Sequence, residues 1–313
     1  MSLALKSIGV LIGLVSLFGT ARAGRLAFRL ASRAPSGAPA SRREAEVLAR
    51  AAAAFKAAKT VWLRTHDGLI AAYDFAPTPA AKGGRRVLVV HGYRSRSEHM
   101  LPIINRLKAE NFRPVAIDLP GHGRSRGQTS HLMASVQAID AAWREFGPFD
   151  AMVGHSFGGA AVLAAAAGAV PGLASRRPYK LAVIAAPTRL AALFEWIGAS
   201  VGLSARVQAA FEGEVLQQTG KPLAAYDAAN DVKRLRAEVL VLHAPDDKEV
   251  DFGQAERLAA AGPHVRLVPV RGAGHRRILR APLMLDALAG FLNDAPAATA
   301  DQTGTPAARS TAA

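Results

Sequence analysis

Short apolar runs alternate with helix-like segments over most of the chain. Uninterrupted apolar runs are typical of strands that are buried on both faces of a parallel sheet. They occur at 86–91 (RVLVVH), 113–118 (RPVAID), 151–153 (AMV), 180–186 (KLAVIAA), 238–243 (EVLVLH) and 264–270 (HVRLVPV). Patterns typical of helices separate several of these runs, at 98–110, 129–146 and 159–168. Strands that alternate with helices predict crossover connections and a parallel sheet.

The segments on either side of these runs complete the predicted fold. Thr60–Thr65 and Leu69–Phe75 flank a His-Asp-Gly turn and predict an antiparallel hairpin. An alanine-rich helix is predicted at Arg42–Lys59, and a closing helix at Ala281–Leu292. We therefore expect an α/β fold with a mostly parallel, eight-stranded sheet and helices on both faces.

The alternation stops between Pro187 and Arg236. Leu190–Val201 and Ala205–Gln218 are helical in pattern, with no strand between them. Ligands of open α/β sheets bind at the carboxyl ends of the strands, so we predict that residues 187–236 form a small helical cap over that edge. The larger apolar side chains of this cap either line a pocket for an acyl group or only pack the cap on the sheet. They are Phe194, Trp196, Ile197, Val201, Leu203 and Phe211.

The first residues of the chain resemble a targeting segment. Lys6 precedes the apolar run Ile8–Phe18, and the small residues that end at Ala23 resemble a signal-cleavage site. Arginines follow closely, at 22, 25, 29 and 33, and positive charge favours keeping that flank in the cytoplasm. We therefore expect an uncleaved, membrane-associated segment at residues 3–23. Export after cleavage near Ala23 is the alternative.

The remaining patterns divide the chain into three parts. Residues 34–41 contain prolines and small residues and predict a linker. Residues 1–41 are therefore expected to lie outside a folded domain at 42–293. Residues 294–313 are small and polar, which predicts a disordered tail.

Composition excludes several kinds of chemistry. The chain has 313 residues and no cysteine, so disulfides, thiolate catalysis and cysteine-bound metals are impossible. Its net charge is +15, which could attract nucleic acid or anionic lipid, but the arginines are scattered and no nucleic-acid motif is present. No H-E-x-x-H spacing and no phosphate-binding loop occurs. We therefore predict no nucleic-acid partner, no metal and no cofactor.

One turn has the pattern of a nucleophile. Gly154-His155-Ser156-Phe157-Gly158 matches G-x-S-x-G between a predicted strand and a predicted helix. Glycines at 154 and 158 would let the backbone turn sharply and present the Ser156 hydroxyl at the edge of the sheet. The N–H of Phe157 would then face negative charge that develops on a substrate oxygen. By itself the pattern also fits a plain glycine-rich connection between a strand and a helix. Partner residues elsewhere in the chain are needed to identify Ser156 as a nucleophile.

Candidate partners of the serine follow downstream in the order Asp, then His. Asp246 and Asp247 follow the predicted strand 238–243, and His275 stands on a glycine-containing loop after the strand 264–270. A serine needs a histidine to take its proton and an acid to orient that histidine. Spacing does not decide between the two aspartates, since either could cap a helix near Val250.

The negative charge on the substrate oxygen would need a second hydrogen-bond donor besides the Phe157 N–H. The loop after strand 86–91 places the N–H of Tyr93 as the second donor.

His155, next to the serine, is predicted to be a packing residue, and His91 is predicted to anchor its own loop. Arg276 and Arg277 beside His275 either favour an anionic substrate or are paired with surface acids.

Together the motifs resemble the α/β-hydrolase superfamily, over about residues 60–292. In chain order they are HGY (91–93), DLPGHGRS (118–125), GHSFGG (154–159), HAPDD (243–247) and GAGH (272–275). The resemblance implies that Asp247, the second aspartate, is the acid and that Tyr93 supplies an oxyanion N–H. Alanine at 244 replaces the usual glycine, which is a minor departure.

The resemblance also implies hydrolysis of an ester or related acyl bond through a serine-bound acyl intermediate. We expect a carboxylesterase for small to medium acyl esters, with Ser156 as nucleophile, His275 as base and Asp247 as orienting acid. A membrane-proximal lipase or lysophospholipase, or a serine peptidase or amidase, is the alternative within the same chemistry. A non-catalytic binding protein on the same fold is the alternative of another class.

Overall fold

A single eight-stranded sheet forms the centre of the chain. The computed structural model describes residues 3–35, 38–39, 41–75 and 84–294. The strands are β1 (Lys59–Thr65), β2 (Gly68–Asp74), β3 (Arg86–Val90), β4 (Arg113–Ile117), β5 (Ala151–His155), β6 (Lys180–Ile184), β7 (Glu238–His243) and β8 (Val265–Pro269). Their order is β1-β2-β4-β3-β5-β6-β7-β8, with β2 antiparallel to both β1 and β4 and the other pairs parallel. The expected fold class, a mostly parallel eight-stranded sheet, is confirmed.

Helices surround the sheet on both faces. They are α1 (Leu3–Ser16), α2 (Thr20–Ala31), α3 (Arg42–Ala57), α4 (Leu101–Ala109), α5 (Leu132–Phe146), α6 (Phe157–Ala167), α7 (Leu190–Val201), α8 (Ala205–Thr219), α9 (Ala228–Val232), α10 (Gly253–Ala259), α11 (Gly274–Arg277) and α12 (Pro282–Asn293). Short 3₁₀ turns lie at Ser97–Met100, Leu223–Ala225 and Ile278–Arg280. Of these helices, α2 and the short α9 and α11 were not expected from the sequence.

The apolar runs of the sequence are strands with two buried faces. Successive side chains of a strand point to opposite faces. In β3, Leu88 and Val90 belong to one apolar cluster, with α5 and α6, while Val87 and Val89 belong to a second one, with α4 and α12. Every second residue therefore meets a different layer of helices, which explains why the runs contain no polar alternation.

Helices α7, α8 and α9 lie between β6 and β7, where the strand–helix alternation stops. A short bridge between Arg189 and Asp227 joins the two ends of this insertion. Phe194 of α7 and Phe211 of α8 stack with ring centroids 4.5 Å apart, and Phe211 is fully buried. The two longer helices of this insertion, the predicted cap, are therefore held together by an apolar contact of their own.

The predicted membrane attachment through residues 3–23 is wrong. Within the part of the chain that the structure describes, no helix is long and apolar enough to cross a membrane. Helix α1 ends at Ser16, inside the apolar run Ile8–Phe18, and a second helix begins at Thr20. Ala23, the expected end of a cleaved signal, lies inside α2 and is completely buried. Part of the apolar surface of this region therefore packs on the protein itself.

Helices α1 and α2 contact the cap through small residues. The backbone of α2 comes so close to α8 that a Cβ atom on Gly24 would lie 2.6 Å from Ala210. A Cβ atom on Gly9 of α1 would overlap the carbonyl oxygen of Val201, at the end of α7. Ile12 is also buried, at 2% exposure. Of the predicted linker, residues 36, 37 and 40 lie outside the described residues, as do residues 295–313 of the predicted tail.

We predict that Gly24→Ala destabilises the protein relative to Gly13→Ala. Alanine favours a helix over glycine by about 1 kcal/mol at either position. A methyl group added at Gly13 would meet no atom within 4 Å, whereas one added at Gly24 would meet the α8 backbone. Overpacking of this kind costs about 1–3 kcal/mol. Urea unfolding of both variants measures the difference, and equal stability would contradict the close α2–α8 contact.

Candidate active site

Ser156 occupies a strained turn between β5 and α6. Its backbone has φ 52° and ψ −125°, a conformation that L residues rarely adopt. A Cβ atom on Gly154 would lie 2.5 Å from the carbonyl oxygen of Gly158, and one on Gly158 would overlap that of His91. Neither position has room for a side chain, so the glycines of the motif are what allows β5, α6 and the end of β3 to meet behind the serine.

A chain of hydrogen bonds links Ser156, His275 and Asp247. The Nε2 atom of His275 lies 3.0 Å from Ser156 Oγ, and its Nδ1 atom lies 2.7 Å from Asp247 Oδ2. Asp247 follows β7 and His275 is at the start of α11 after β8, so both reach the serine from the carboxyl edge of the sheet. Residues 119 positions apart in the chain therefore form one connected group.

The surroundings of Asp247 favour its charged form. Its side chain is inaccessible to solvent. Burial by itself would raise the pKa, but hydrogen bonds from His243, His275 and the N–H groups of Val250 and Glu249 outweigh it and hold the pKa of Asp247 well below its usual range. The carboxylate is therefore ionised beside His275 at neutral pH.

The two adjacent aspartates make different contacts. Asp246 Oδ1 accepts the N–H of Gly272 at 2.8 Å, which ties the loop after β7 to the loop that precedes His275. Asp247 meets His275 with Oδ2, while its Oδ1 accepts the N–H groups of Glu249 and Val250 at 2.8 and 3.0 Å. One carboxylate therefore both contacts the histidine and closes the turn that follows it.

His155, expected from the sequence to be only a packing residue, contacts the backbone of His275. Its Nε2 atom lies 2.9 Å from the carbonyl oxygen of His275, so a hydrogen there donates to that carbonyl. Burial first, and then repulsion from His275, lower the pKa of His155 to about 3. His155 is therefore a neutral ring that holds the backbone of His275. The one indication of this role in the sequence is the position of His155 inside the G-x-S-x-G motif.

The loop after β3 lies directly against the serine. A Cβ atom on Gly92 would come within 2.9 Å of Ser156 Cβ. Tyr93 follows Gly92, and Phe157 is the first residue of α6, so the N–H of Phe157 has no acceptor within its own helix. The two predicted oxyanion residues are therefore next to the Ser156 turn, and their rings lie 6.3 Å apart.

Two buried histidines hold this loop. His91 accepts the N–H of Leu119 at Nε2, 2.9 Å, so its Nδ1–H donates to the Gly92 carbonyl at 2.7 Å. His122 accepts the N–H of Arg94 at 3.0 Å. Burial lowers the pKa of both rings. Both are therefore neutral, which leaves one ring nitrogen of each able to accept.

A cleft of about 2010 Å³ opens onto Ser156 and His275. Cap residues contribute an apolar part of its lining. They are Phe194, Trp196, Ile197, Val201 and Leu203. Of the six apolar cap residues singled out in the sequence, Phe211 alone does not line the cleft and instead packs against Phe194.

The sequence model of the α/β-hydrolase family matches residues 87–293, from the start of β3 to the end of α12. The chain belongs to this family. No curated protein matches the chain significantly.

Solved structures of other α/β hydrolases share the fold at low identity. A thermophilic esterase from Thermogutta terrifontis has 17% identity and a TM-score of 0.55, over 75% of this chain and 98% of that one. The esterase Pf2001 from Pyrococcus furiosus has 18% identity and a TM-score of 0.56, over 75% and 91%. A bromoperoxidase from Bacillus anthracis has 15% identity and a TM-score of 0.55, over 75% and 100%. Similarity at this level establishes the fold and not the reaction.

The arginines beside His275 have partners in this α/β hydrolase. Arg276 pairs with Glu249 at 3.1 Å, and Arg277 donates to the carbonyl of Gly272 at 3.2 Å. The Arg276 contact fits the second of the two expectations, pairing with a surface acid, whereas Arg277 meets a backbone carbonyl. Among the described residues, no three histidine or acidic side chains are grouped in a way that could hold a metal ion.

The low pKa of Asp247 predicts a specific dependence of stability on pH. In the unfolded chain this carboxyl group titrates near its ordinary pKa of about 3.9. A carboxylate whose pKa is lower in the folded state contributes stability above the unfolded-state pKa and loses it as the pH falls toward the folded-state value. The stability difference between the wild type and Asp247→Asn should therefore be at its full size at about pH 6 and narrow below about pH 4. Thermal unfolding over this range measures it, and a constant difference would contradict the lowered pKa.

Proposed function

We propose that this α/β hydrolase is a serine carboxylesterase that acts on small to medium acyl esters. The observation that carries the proposal is the chain of contacts from Ser156 Oγ to His275 Nε2, 3.0 Å, and from His275 Nδ1 to the buried Asp247 carboxylate, 2.7 Å. A nucleophile, a base and an acid that orients the base are the groups that acyl transfer through serine requires.

The first half of the reaction forms an acyl-enzyme. Ser156 Oγ attacks the ester carbonyl carbon while His275 Nε2 takes the hydroxyl proton. The carbonyl oxygen becomes an oxyanion, which the N–H groups of Tyr93 and Phe157 stabilise. When this intermediate collapses, the bond to the alcohol oxygen breaks and His275 gives its proton to that oxygen. The ionised Asp247 stabilises the imidazolium that exists between these steps.

The second half releases the acid and regenerates the serine. Water takes the place of the alcohol, His275 removes one of its protons, and the resulting oxygen attacks the acyl carbon. A second oxyanion forms on the same two N–H donors. Its collapse breaks the bond to Ser156 Oγ, which recovers its proton from His275.

The esterase assignment rests on the site and on the neighbours together. Solved structures that share this fold include esterases from Thermogutta terrifontis and Pyrococcus furiosus. The cleft beside Ser156 has an apolar wall from the cap, which suits the acyl part of an ester. A non-catalytic binding protein would have no need for the strained serine or for the two glycines that make it possible.

We predict that Ser156→Ala and His275→Ala each abolish ester turnover. Removing either member of such a group lowers kcat on the order of 10⁶-fold, because the remaining residues cannot complete the proton transfer. The measurement is hydrolysis of p-nitrophenyl esters of increasing acyl length by the full chain and both variants.

Matched substitutions outside the site control for general damage. Ser204→Ala replaces an exposed serine whose side chain makes no capping bond, and His66→Ala replaces a histidine in the exposed β1–β2 turn. Both should keep wild-type turnover. Full activity of a folded Ser156→Ala protein would exclude the serine mechanism, and no turnover by the wild type would exclude the esterase assignment.

A further inference from the structure

The hydroxyl of Tyr93 joins the predicted oxyanion loop to the N-terminal helices. It lies 2.8 Å from the carbonyl oxygens of both Ala31 and Arg33, so its single proton is shared between them. Ala31 is the last residue of α2, and a carbonyl at the end of a helix has no N–H partner within that helix. The Tyr93 hydroxyl therefore donates to the last carbonyl group of α2. The same bond fixes the position of Tyr93 in the loop next to Ser156.

The chain after α2 is held to the same region by backbone contacts. Arg33 forms a bridge with Thr129, and the N–H of Ala34 donates to the Gln128 carbonyl at 2.9 Å. The N–H of Ser130 donates to the Ser32 carbonyl at 2.7 Å. These bonds position the Arg33 carbonyl independently of the tyrosine. The Arg33 carbonyl that accepts from the Tyr93 hydroxyl is thus held in place by the backbone of the fold.

The same two helices line the cleft that contains Ser156 and His275. Phe28 of α2 contributes to this lining, together with Ile8 and Ile12 of α1. The Phe28 ring is 7% exposed and lies 6.2 Å from the ring of Phe194, which is a cap residue of the cleft. The apolar lining of this cleft is therefore shared between the cap and the N-terminal helices.

We propose that α1 and α2 are a working part of the active site: Phe28 limits the acyl group that the cleft accepts, and the Tyr93 hydroxyl, bound to the end of α2, positions the oxyanion loop. The inference rests on the proposed esterase function and adds to it two residue roles and a structural element. Both helices precede residues 87–293, the part of the chain that the family model matches. The arrangement is therefore a feature of this chain beyond its family core.

Tyr93→Phe tests the positioning role. Phenylalanine keeps the ring contacts with His122 and Phe157, at 5.5 and 6.3 Å, and removes only the hydroxyl. Misplacement of catalytic donors lowers the rate of the chemical step, so we expect kcat to fall about 10-fold or more while KM changes little. Tyr179→Phe, on a half-exposed tyrosine, is the matched control and should keep wild-type kcat.

A purely structural role of the hydroxyl would give another result. Tyr93→Phe would then unfold at a lower temperature but retain wild-type kcat where it is folded. That outcome would overturn the positioning role.

Phe28→Ala tests the specificity role. Removing the ring should enlarge the apolar wall, so kcat/KM for p-nitrophenyl decanoate should rise relative to p-nitrophenyl butyrate by about 10-fold or more, the usual effect of a changed hydrophobic pocket. Phe18→Ala is the matched control, because Phe18 follows α1 in the same region and is 75% exposed. Its ratio should equal that of the wild type. Phe28→Leu, which retains most of the apolar volume, should shift the ratio in the same direction by less.

The outcomes separate the inference from the function on which it rests. Wild-type turnover with an unchanged chain-length ratio in both Phe28 variants would overturn the specificity role and leave the esterase function intact. If Phe28→Ala does not fold, the ratio in Phe28→Leu decides. Absence of turnover in the wild type and in Phe18→Ala would remove both the function and the inference.

Discussion

The close approach of three backbone segments at Ser156 is the constraint on which this site depends. The end of β3, the turn after β5 and the first residues of α6 meet where a Cβ atom at 154 or 158 would overlap a carbonyl oxygen. This contact forces the serine to a positive φ and aims its hydroxyl at the edge of the sheet. The strain persists because the buried strands on either side cannot move apart without opening both apolar clusters.

Neutral histidines hold the loops around this turn. His91 and His122 hold the loop after β3, and His155 holds the backbone of His275. Burial keeps their pKa values low, so each ring has one nitrogen that donates and one that can accept. A charged ring could not accept from a backbone N–H. The histidine that faces Ser156 differs from these in its hydrogen bond to a buried carboxylate, because its Nδ1 lies 2.7 Å from Oδ2 of Asp247.

The N-terminal helices show how one apolar pattern can serve two structures. A short apolar run with basic residues behind it suits a bilayer or the surface of a folded domain. In this protein, small residues favour packing on the folded domain. Gly9, Ala23 and Gly24 let the backbones of α1 and α2 come close to the cap helices. The end of α2 then reaches the Tyr93 hydroxyl, so a segment that lies outside the family core contacts the loop beside the serine.

Local pattern was enough to predict the strands, most helices and the candidate roles of Ser156 and His275, because buried strands need uninterrupted apolar runs and a tight turn at Ser156 needs glycine on both sides. It did not reveal α2, whose three arginines obscured a buried stripe of small residues, or the second role of Tyr93. It also could not choose between Asp246 and Asp247 by spacing, since adjacent residues on a loop can point in opposite directions. These matters depend on contacts between residues far apart in the chain: Tyr93 meets Ala31 across 62 positions, and His275 meets Asp247 across 28. Only the tertiary structure brings such pairs together, because their distance is set by the packing of whole helices and loops and not by any pattern of neighbours.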